Sequence, residues 1–437
     1  MESLPAGVLA GLTPPDVEIA FYDDRVEDIP FEAPTDLVAI SIETFTARRA
    51  YQIASTYRRR GVPVVMGGFH ATLCPDEVQR YAEAVVVGEA EELWAEVVDD
   101  FRHRTPKRIY RGQGRPELFR SSPDRRIFAG KRYLPVGLVE TSRGCPFHCE
   151  FCAIQAAYCS TQTRRPLEQV IAEVASIKDR SRLFFFVDDN LTGNVREAKD
   201  FLRALAPLGI RWVSQGSLNM AQDDELLDLM RRSGCQGLLI GFESLERRNL
   251  EAMRKEVNLA ERDLAGAIAN LHRNRIRIYG TFVFGYGADT AETVQTAVEF
   301  AIDQGFYLAA FAQLTPFPGT PLYTRLESEG RLLYDTWWLD PDYSFNQVAF
   351  MPERLAPREL ERLCVEARRQ FYSATSMLRR WFHPVNRSDA FMFRQFMPIN
   401  WLHRIEVGPR YGHPLGDPRY REPLLESAVR EPLLESG

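Results

Sequence analysis

The sequence has no long apolar run. Nowhere do uninterrupted hydrophobic residues approach the ~20 that span a bilayer, so no integral membrane segment is expected. It has no surplus of one charge either. Lys+Arg 54 against Asp+Glu 60 leaves a formal net charge of −6, and a weakly acidic chain exerts no bulk pull on nucleic acid. The first dozen residues lack a basic stretch, and Glu2 and Pro5 interrupt them, which argues against a secretory signal and for the cytoplasm. Cysteine is scarce. There are seven, an odd number and mostly scattered, which argues against a disulfide framework. What is present is an ordinary globular mixture, 45% hydrophobic and 26% charged, over 437 residues. That length suggests two or three domains.

Two stretches alternate strand and helix patterns, the signature of α/β architecture. In the first, residues 17–22 and 36–42 read as strands, the latter an apolar run suited to burial on both faces of a parallel sheet. A helix over 47–60, strands over 63–66 and 85–87 and a helix over 91–101 complete a unit spanning 1–101. Residues 102–133, basic and interrupted by Pro and Gly, read as a linker. From 134 the alternation resumes, with strands at 136–141, 183–187, 211–216, 237–240, 276–284 and 308–314. Six βα units over 134–325 suit a partial barrel, whose active site belongs in the loops after the strands. Residues 326–415 turn helical and then aromatic and basic. They read as a cover for the barrel or, less readily, as a greasy surface for a membrane. A REPLLES repeat, 421–427 and 430–436, marks residues 416–437 as a flexible tail.

Three of the seven cysteines fall within eight residues. The segment ETSRGCPFHCEFC places Cys145, Cys149 and Cys152 directly after the first barrel strand. Three thiolates on one short loop can hold three irons of a [4Fe–4S] cluster and leave the fourth open. Zinc with His148 or Cys159 as fourth ligand is the competing reading, and a non-catalytic iron–sulfur or zinc module the competing function. Cys74, Cys235 and Cys364 read as replaceable core thiols.

The Cys-x3-Cys-x-aromatic-Cys loop opening a six-fold βα repeat resembles the radical S-adenosylmethionine (SAM) superfamily. The resemblance implies that Cys145, Cys149 and Cys152 bind the cluster, that the open iron chelates SAM, and that one-electron reduction yields a 5′-deoxyadenosyl radical. It also implies a small-molecule substrate and an electron donor such as flavodoxin or ferredoxin. Phe151 matches the aromatic beside the adenine. Asp188, Asp189 and Asn190 after the second strand, Glu243 and Ser244 after the fourth, and Gly280 in the fifth are the expected SAM contacts. The turn at 315–321 resembles the branch containing anaerobic magnesium-protoporphyrin cyclase, whose members carry an N-terminal cobalamin-type Rossmann-like domain. Ser41, Gly67, Gly68 and Glu89 lie where the corrinoid tail of such a domain would rest. His70 matches no ligand of that family. The domain looks shortened, since residues 4–10 suit its first helix and its usual first strand is not seen. With cobalamin, methyl transfer to an unactivated carbon is implied. Without it, a radical rearrangement or oxidative cyclisation is.

Overall fold

The computed structural model describes residues 1–118, 122–261 and 263–427, so the second repeat copy at 430–436 lies outside the described residues. The chain divides into two units. One is built from 3–132, 338–343 and the residues from 414 onward; the other from 133–337 and 344–413.

The first unit opens with α1 (Leu4–Leu12) and holds a four-stranded parallel sheet. Its strands are β1 (Val38–Ser41), β2 (Val64–Gly67), β3 (Ala84–Val87) and β4 (Ile109–Arg111), in the order β1-β2-β3-β4. Between them run α2 (Ala47–Arg59), α3 (Phe69–Leu73), α4 (Pro75–Val78) and α5 (Trp94–Arg102). Trp94, Val97 and Val98 pack on Val65, Ala84, Val86 and Tyr110.

Several expectations need correction here. Residues 17–22 form no strand: Val17 joins the α5 cluster by its side chain, and Phe21 meets Phe128 edge-on. β1 is not buried on both faces. Among the described residues it is an edge strand, paired with β2, and its Ala39 and Ser41 are exposed. Residues 102–133 are no linker. They supply β4, which pairs with β3 and buries Tyr110, whose hydroxyl donates to Asp100 at 2.8 Å. Three residues are too few to show a strand period. The first REPLLES copy is no free tail either: Leu425 N donates to Ser55 Oγ at 2.8 Å, and Glu426 pairs with Arg80 at 2.6 Å.

The second unit is a six-stranded parallel sheet with helices on one face. β5 (Val136–Val139) leads into a small antiparallel pair, β6 (Ser142–Gly144) and β7 (Gln162–Arg164), which flank α6 (Ala153–Tyr158). The sheet continues with β8 (Leu183–Phe186), β9 (Trp212–Gly216), β10 (Cys235–Glu243), β11 (Arg277–Phe284) and β12 (Leu308–Gln313). Its order is β12-β11-β10-β9-β8-β5 with no closing pair among the described residues, hence a partial barrel. Around it lie α7 (Leu167–Ile177), α8 (Val195–Leu205), α9 (Asp224–Ser233), α10 (Arg247–Ala252), α11 (Glu256–Leu259), α12 (Leu264–Arg273), α13 (Ala291–Asp303) and α14 (Pro321–Ser328). Local chemistry sets their ends. Asp223 caps α9 by accepting from Leu226 N at 2.9 Å, and Gly234 stops it at φ 95°, where a Cβ would lie 2.0 Å from Ile210 O.

Side chains on the helix face of the strands are buried (Phe184, Phe186, Ile278, Phe282, Phe311). Those on the opposite face stay partly accessible (Leu183, Phe185, Tyr279, Val283, Ala310). The concave side is therefore lined rather than filled.

Three C-terminal helices follow: α15 (Pro357–Phe371), α16 (Ala374–Trp381) and α17 (Ala390–Glu406). β12 is an edge strand, and α15 and the residue after it cap its outer groups. The Tyr372 hydroxyl donates to Ala309 O at 2.9 Å, and Arg368 Nε to Phe311 O at 2.9 Å. Arg380 is wholly buried. It donates to Phe306 O, Phe371 O and Asn400 Oδ1 within 3.1 Å, with its guanidinium 3.7 Å from the Phe371 ring centre, and burial pushes it down to about 9.

Candidate functional site

The cysteine loop leaves the C-terminal end of β5 at the centre of a dense hydrogen-bond set. Asp188, at the end of β8, is fully buried and accepts from Thr141 N at 2.6 Å, Ser142 N at 3.0 Å, Ser142 Oγ at 3.2 Å and the Thr141 hydroxyl. Burial pushes its carboxyl up, against those donors. Asp189 accepts from Gly144 N at 2.7 Å, and burial moves it up to about 6. The Asn190 amide donates to Ser217 Oγ at 2.6 Å and lies 3.6 Å from Cys145 Sγ. The turn expected to face SAM is thus engaged in holding the cysteine loop, and Asp188 has both oxygens occupied by it.

The far side of the loop is held by a group that sequence reasoning missed. Glu150, between Cys149 and Phe151, is buried. Its carboxylate takes the Tyr286 hydroxyl at 3.1 Å and Arg325 Nη2 at 2.7 Å. Its backbone bonds Met253 O and Leu322 N. Three consecutive barrel segments, those after β10, β11 and β12, therefore converge on one glutamate, a tertiary fact with no local signal. Phe151 packs against the barrel core.

Glu243 ends β10 beyond a bulge, at φ 61°, a left-handed conformation costly for a non-glycine residue. It pairs with Lys255 at 2.9 Å, and both are largely buried. Burial pulls the Lys255 ammonium down, but Glu243 and the nearby Cys149 and Cys152 outweigh it and hold it above its ordinary value. Lys255 was not anticipated, since it lies twelve residues along in an unremarkable helical stretch. Ser244 Oγ accepts from Glu246 N at 3.1 Å and so shapes the turn. Gly280 corrects an expectation. A Cβ there would meet the Phe306 ring at 2.5 Å, so the glycine accommodates the helix layer rather than a cofactor.

Asp289 fastens the loop after β11, accepting from Gly285 N at 2.7 Å, Tyr286 N at 3.0 Å and Asn249 Nδ2 at 2.7 Å. Burial still moves it up to about 6 from 3.8. A carboxyl whose folded value lies above its unfolded one weakens folding as pH rises through that window. The stability of the chain minus that of Asp289→Asn should therefore fall by about 2–3 kcal/mol between about pH 4 and 6 and then level off. Urea unfolding of both proteins across that range checks it, and a flat difference would contradict it.

The three thiols suit a cluster. Cys149 is buried and pushed up to about 11, chiefly by burial, so its thiolate needs a cationic centre beside it. Among the described residues no three His, Cys, Asp or Glu stand close enough to share a single ion. A cubane, in which each thiolate binds a different iron, tolerates wider spacing. Cys159 is exposed, and the His148 ring sits 2.8 Å from Ser160 Oγ. A surface cavity of about 740 Å³ flanks the loop between α6 and α14, lined by His148, Gln155, Cys159, Thr324 and Arg325 among others.

In the first unit, Ser41 and Gly67 sit side by side at paired strand ends and remain accessible. Gly68 (φ 98°) has a local reason: a Cβ would lie 2.7 Å from Ile42 O. Glu89 is ion-paired with Arg115, which removes it as a free contact. His70 is fully buried, with Nε2 3.0 Å from Glu77 and Nδ1 3.3 Å from Thr44 Oγ1. The sheet order does not reverse, so it offers no switch-point crevice of the Rossmann kind among the described strands.

Comparison with known proteins follows the same lines. The Radical SAM superfamily matches residues 139–301. Bacteriochlorophyllide d C-8(2)-methyltransferase of Chlorobaculum tepidum is 31% identical over 76% of this chain and 77% of its own length. Bacteriochlorophyllide d C-12(1)-methyltransferase of the same organism is 29% identical over 88% and 83%. The fold is similar to that of TsrM, a radical SAM methyltransferase of Kitasatospora setae solved with cobalamin and a [4Fe-4S] cluster. That likeness has TM-score 0.58 at 17% identity and covers 86% of this chain and 89% of the other.

Proposed function

The chain belongs to the radical SAM superfamily, and from that premise we propose that it is a corrinoid-dependent methyltransferase acting on a tetrapyrrole-like small molecule. As a superfamily member it works with a [4Fe–4S] cluster and SAM, which together supply a 5′-deoxyadenosyl radical on one-electron reduction. The observation that carries the reading is the triply anchored loop of Cys145, Cys149 and Cys152 at the mouth of a lined, partly open barrel. The three thiols would hold the cluster, Asp188 and Glu150 keep the loop in shape, and Glu243 with Lys255 offers one acid and one base to the amino and carboxylate ends of SAM. The accessible concave residues Phe185, Tyr279 and Val283 give an apolar wall suited to a macrocycle. Ser41 and Gly67 would contact the corrinoid tail. An electron donor of the flavodoxin or ferredoxin class, in the cytoplasm, would approach from the His148–Arg325 cavity.

The test is anaerobic incubation of reconstituted protein with hydroxocobalamin, methyl-labelled SAM and a bacteriochlorophyllide-type acceptor. Retained corrin absorbance after desalting and label in the tetrapyrrole are expected. SAM cleavage with neither would leave oxidative cyclisation without methyl transfer. That second reading draws on Glu89 being paired and on the unreversed sheet, both of which reduce what the first unit offers a corrinoid.

Glu243→Gln keeps the shape and removes the charge. It should weaken SAM binding roughly 10- to 100-fold, the worth of a charge-assisted hydrogen bond, with iron content retained. Calorimetric titration with SAM reads it. Unchanged affinity would reduce Glu243 to a counter-ion for Lys255.

A further inference from the structure

α17 is apolar on two faces, and only one of them is used. Met392, Phe396 and Asn400 face the protein: Phe396 meets Tyr307 edge-on, and Asn400 bonds Tyr307 O and Arg380. On the opposite face Trp401, Leu402 and Ile405 are each more than half exposed. α16 repeats the pattern, with Met377 buried and Leu378 and, just past its end, Phe382 about half exposed. The two helices touch, since Trp381 stacks on Phe393 at 4.9 Å. A helix apolar all round is ordinarily buried all round, and five large apolar side chains on adjoining helices exceed the scattered exposure of an ordinary surface.

The charges around this patch run against those of the chain. The whole sequence is acidic, yet residues 374–410 carry Arg379, Arg387, Arg394, Arg404 and Arg410, all exposed, beside the buried Arg380. Asp389 and Glu406 are the acidic residues of that stretch, and both are engaged. Asp389 caps α17 by accepting from Met392 N at 2.9 Å, and Glu406 pairs with Arg410 at 2.5 Å. Asp303 on α13 holds Arg379 at 2.9 Å. The Arg404 guanidinium lies 5.6 Å from the Trp401 ring centre, so cation and indole share one spot.

We propose that the outer face of α16 and α17 is a docking surface for an anionic lipid bilayer. Trp401, Phe382, Leu378, Leu402 and Ile405 enter the interface, and Arg387, Arg394 and Arg404 meet the head groups. A tryptophan beside basic residues around an aliphatic patch is the composition that settles at the boundary of head groups and acyl chains. A second copy of this chain suits the face less well. A two-fold contact sets a patch against itself, bringing arginine to arginine, and the acids that could compensate are already engaged. An anionic bilayer satisfies the apolar area and the cations together. It also brings the enzyme to where apolar small molecules partition, which does not depend on the reaction proposed above.

The experiment is flotation of the full-length protein with phosphatidylcholine vesicles and with phosphatidylcholine–phosphatidylglycerol vesicles at low and high salt. Binding to the mixed vesicles, weakened by salt and nearly absent on phosphatidylcholine alone, is expected. Each arginine near such a surface is worth about fivefold in partition, so Arg387→Ala with Arg394→Ala should lose roughly 25-fold. Trp401→Ser with Leu402→Ser and Ile405→Ser should abolish binding. These side chains are exposed, so both variants should melt with the parent, and circular dichroism verifies that. Failure of the parent to float with anionic vesicles at low salt overturns the proposal. So does a parent that sediments as a dimer while the serine variant sediments as a monomer, since a second copy would then cover the face.

Discussion

Cys149→Ala should give a folded chain that cannot keep its iron. The side chain lost is small, and a buried truncation of that size costs about 1 kcal/mol, too little to unfold the unit. The chemical loss is far larger. Each thiolate binds its own iron, so two cysteines leave the cluster with two irons lacking protein ligands. Loss of an outer partner already costs metal sites 10- to 100-fold, so loss of a direct ligand should lower SAM cleavage by more than about 100-fold. Anaerobic reconstitution should give about four irons per parent chain and almost none per variant. Cys159→Ala and Cys235→Ala should retain iron, the first thiol being exposed and the second buried in the core cluster. Full iron and full cleavage in Cys149→Ala would end the assignment, and stoichiometric zinc in the parent would revive the structural-module reading.

Asp188→Ala should be the most damaging change outside the cysteines. Its carboxylate is the shared acceptor for two backbone N–H groups and two hydroxyls, all buried. Stranding buried donors costs about 1–3 kcal/mol each, and the hydroxyls can turn elsewhere, so a loss of about 3–5 kcal/mol is expected. For a unit of this size that lowers the melting temperature by on the order of 10 °C. Iron content should fall with it, because the residues released are those that enter the cysteine loop. Asp188→Asn keeps one acceptor and should lie between. Parent-like melting and iron in Asp188→Ala would show that Asp189, Asn190 and Glu150 hold the loop without it.

Much of this was legible in the sequence, and the residues say why. Six parallel strands carry short apolar runs between amphipathic helices, a pattern that depends only on local spacing. The cysteine loop is legible because its three cysteines lie within eight residues of one another. What was not legible comes from pairs distant in sequence. Lys255 matters because a bulge turns Glu243 toward it, and Glu150 because Arg325 and Tyr286 arrive from other loops. Gly280 misled for the same reason, since nothing local announces Phe306 behind it. β4 carries no sequence signal because three residues show no period, and the composition of 102–133 is that of a linker. β10 was expected at 237–240 and runs Cys235–Glu243, its glycines having hidden both ends.

The capping of β12 by Arg368 and Tyr372 carries a consequence for how the chain is made. On the ribosome, Phe311 emerges well before its partner Arg368, and domains generally assemble from the N-terminus at about 5–20 residues per second. For several seconds the barrel can therefore be complete in strands yet bare along its last one, displaying Ala309 and Phe311 carbonyls that will later be taken. A nascent chain paused in that interval is the form most exposed to strand-on-strand aggregation. Truncation just after Leu314 should thus yield insoluble protein, and extension past Tyr372 should restore solubility, whether or not any cofactor is supplied.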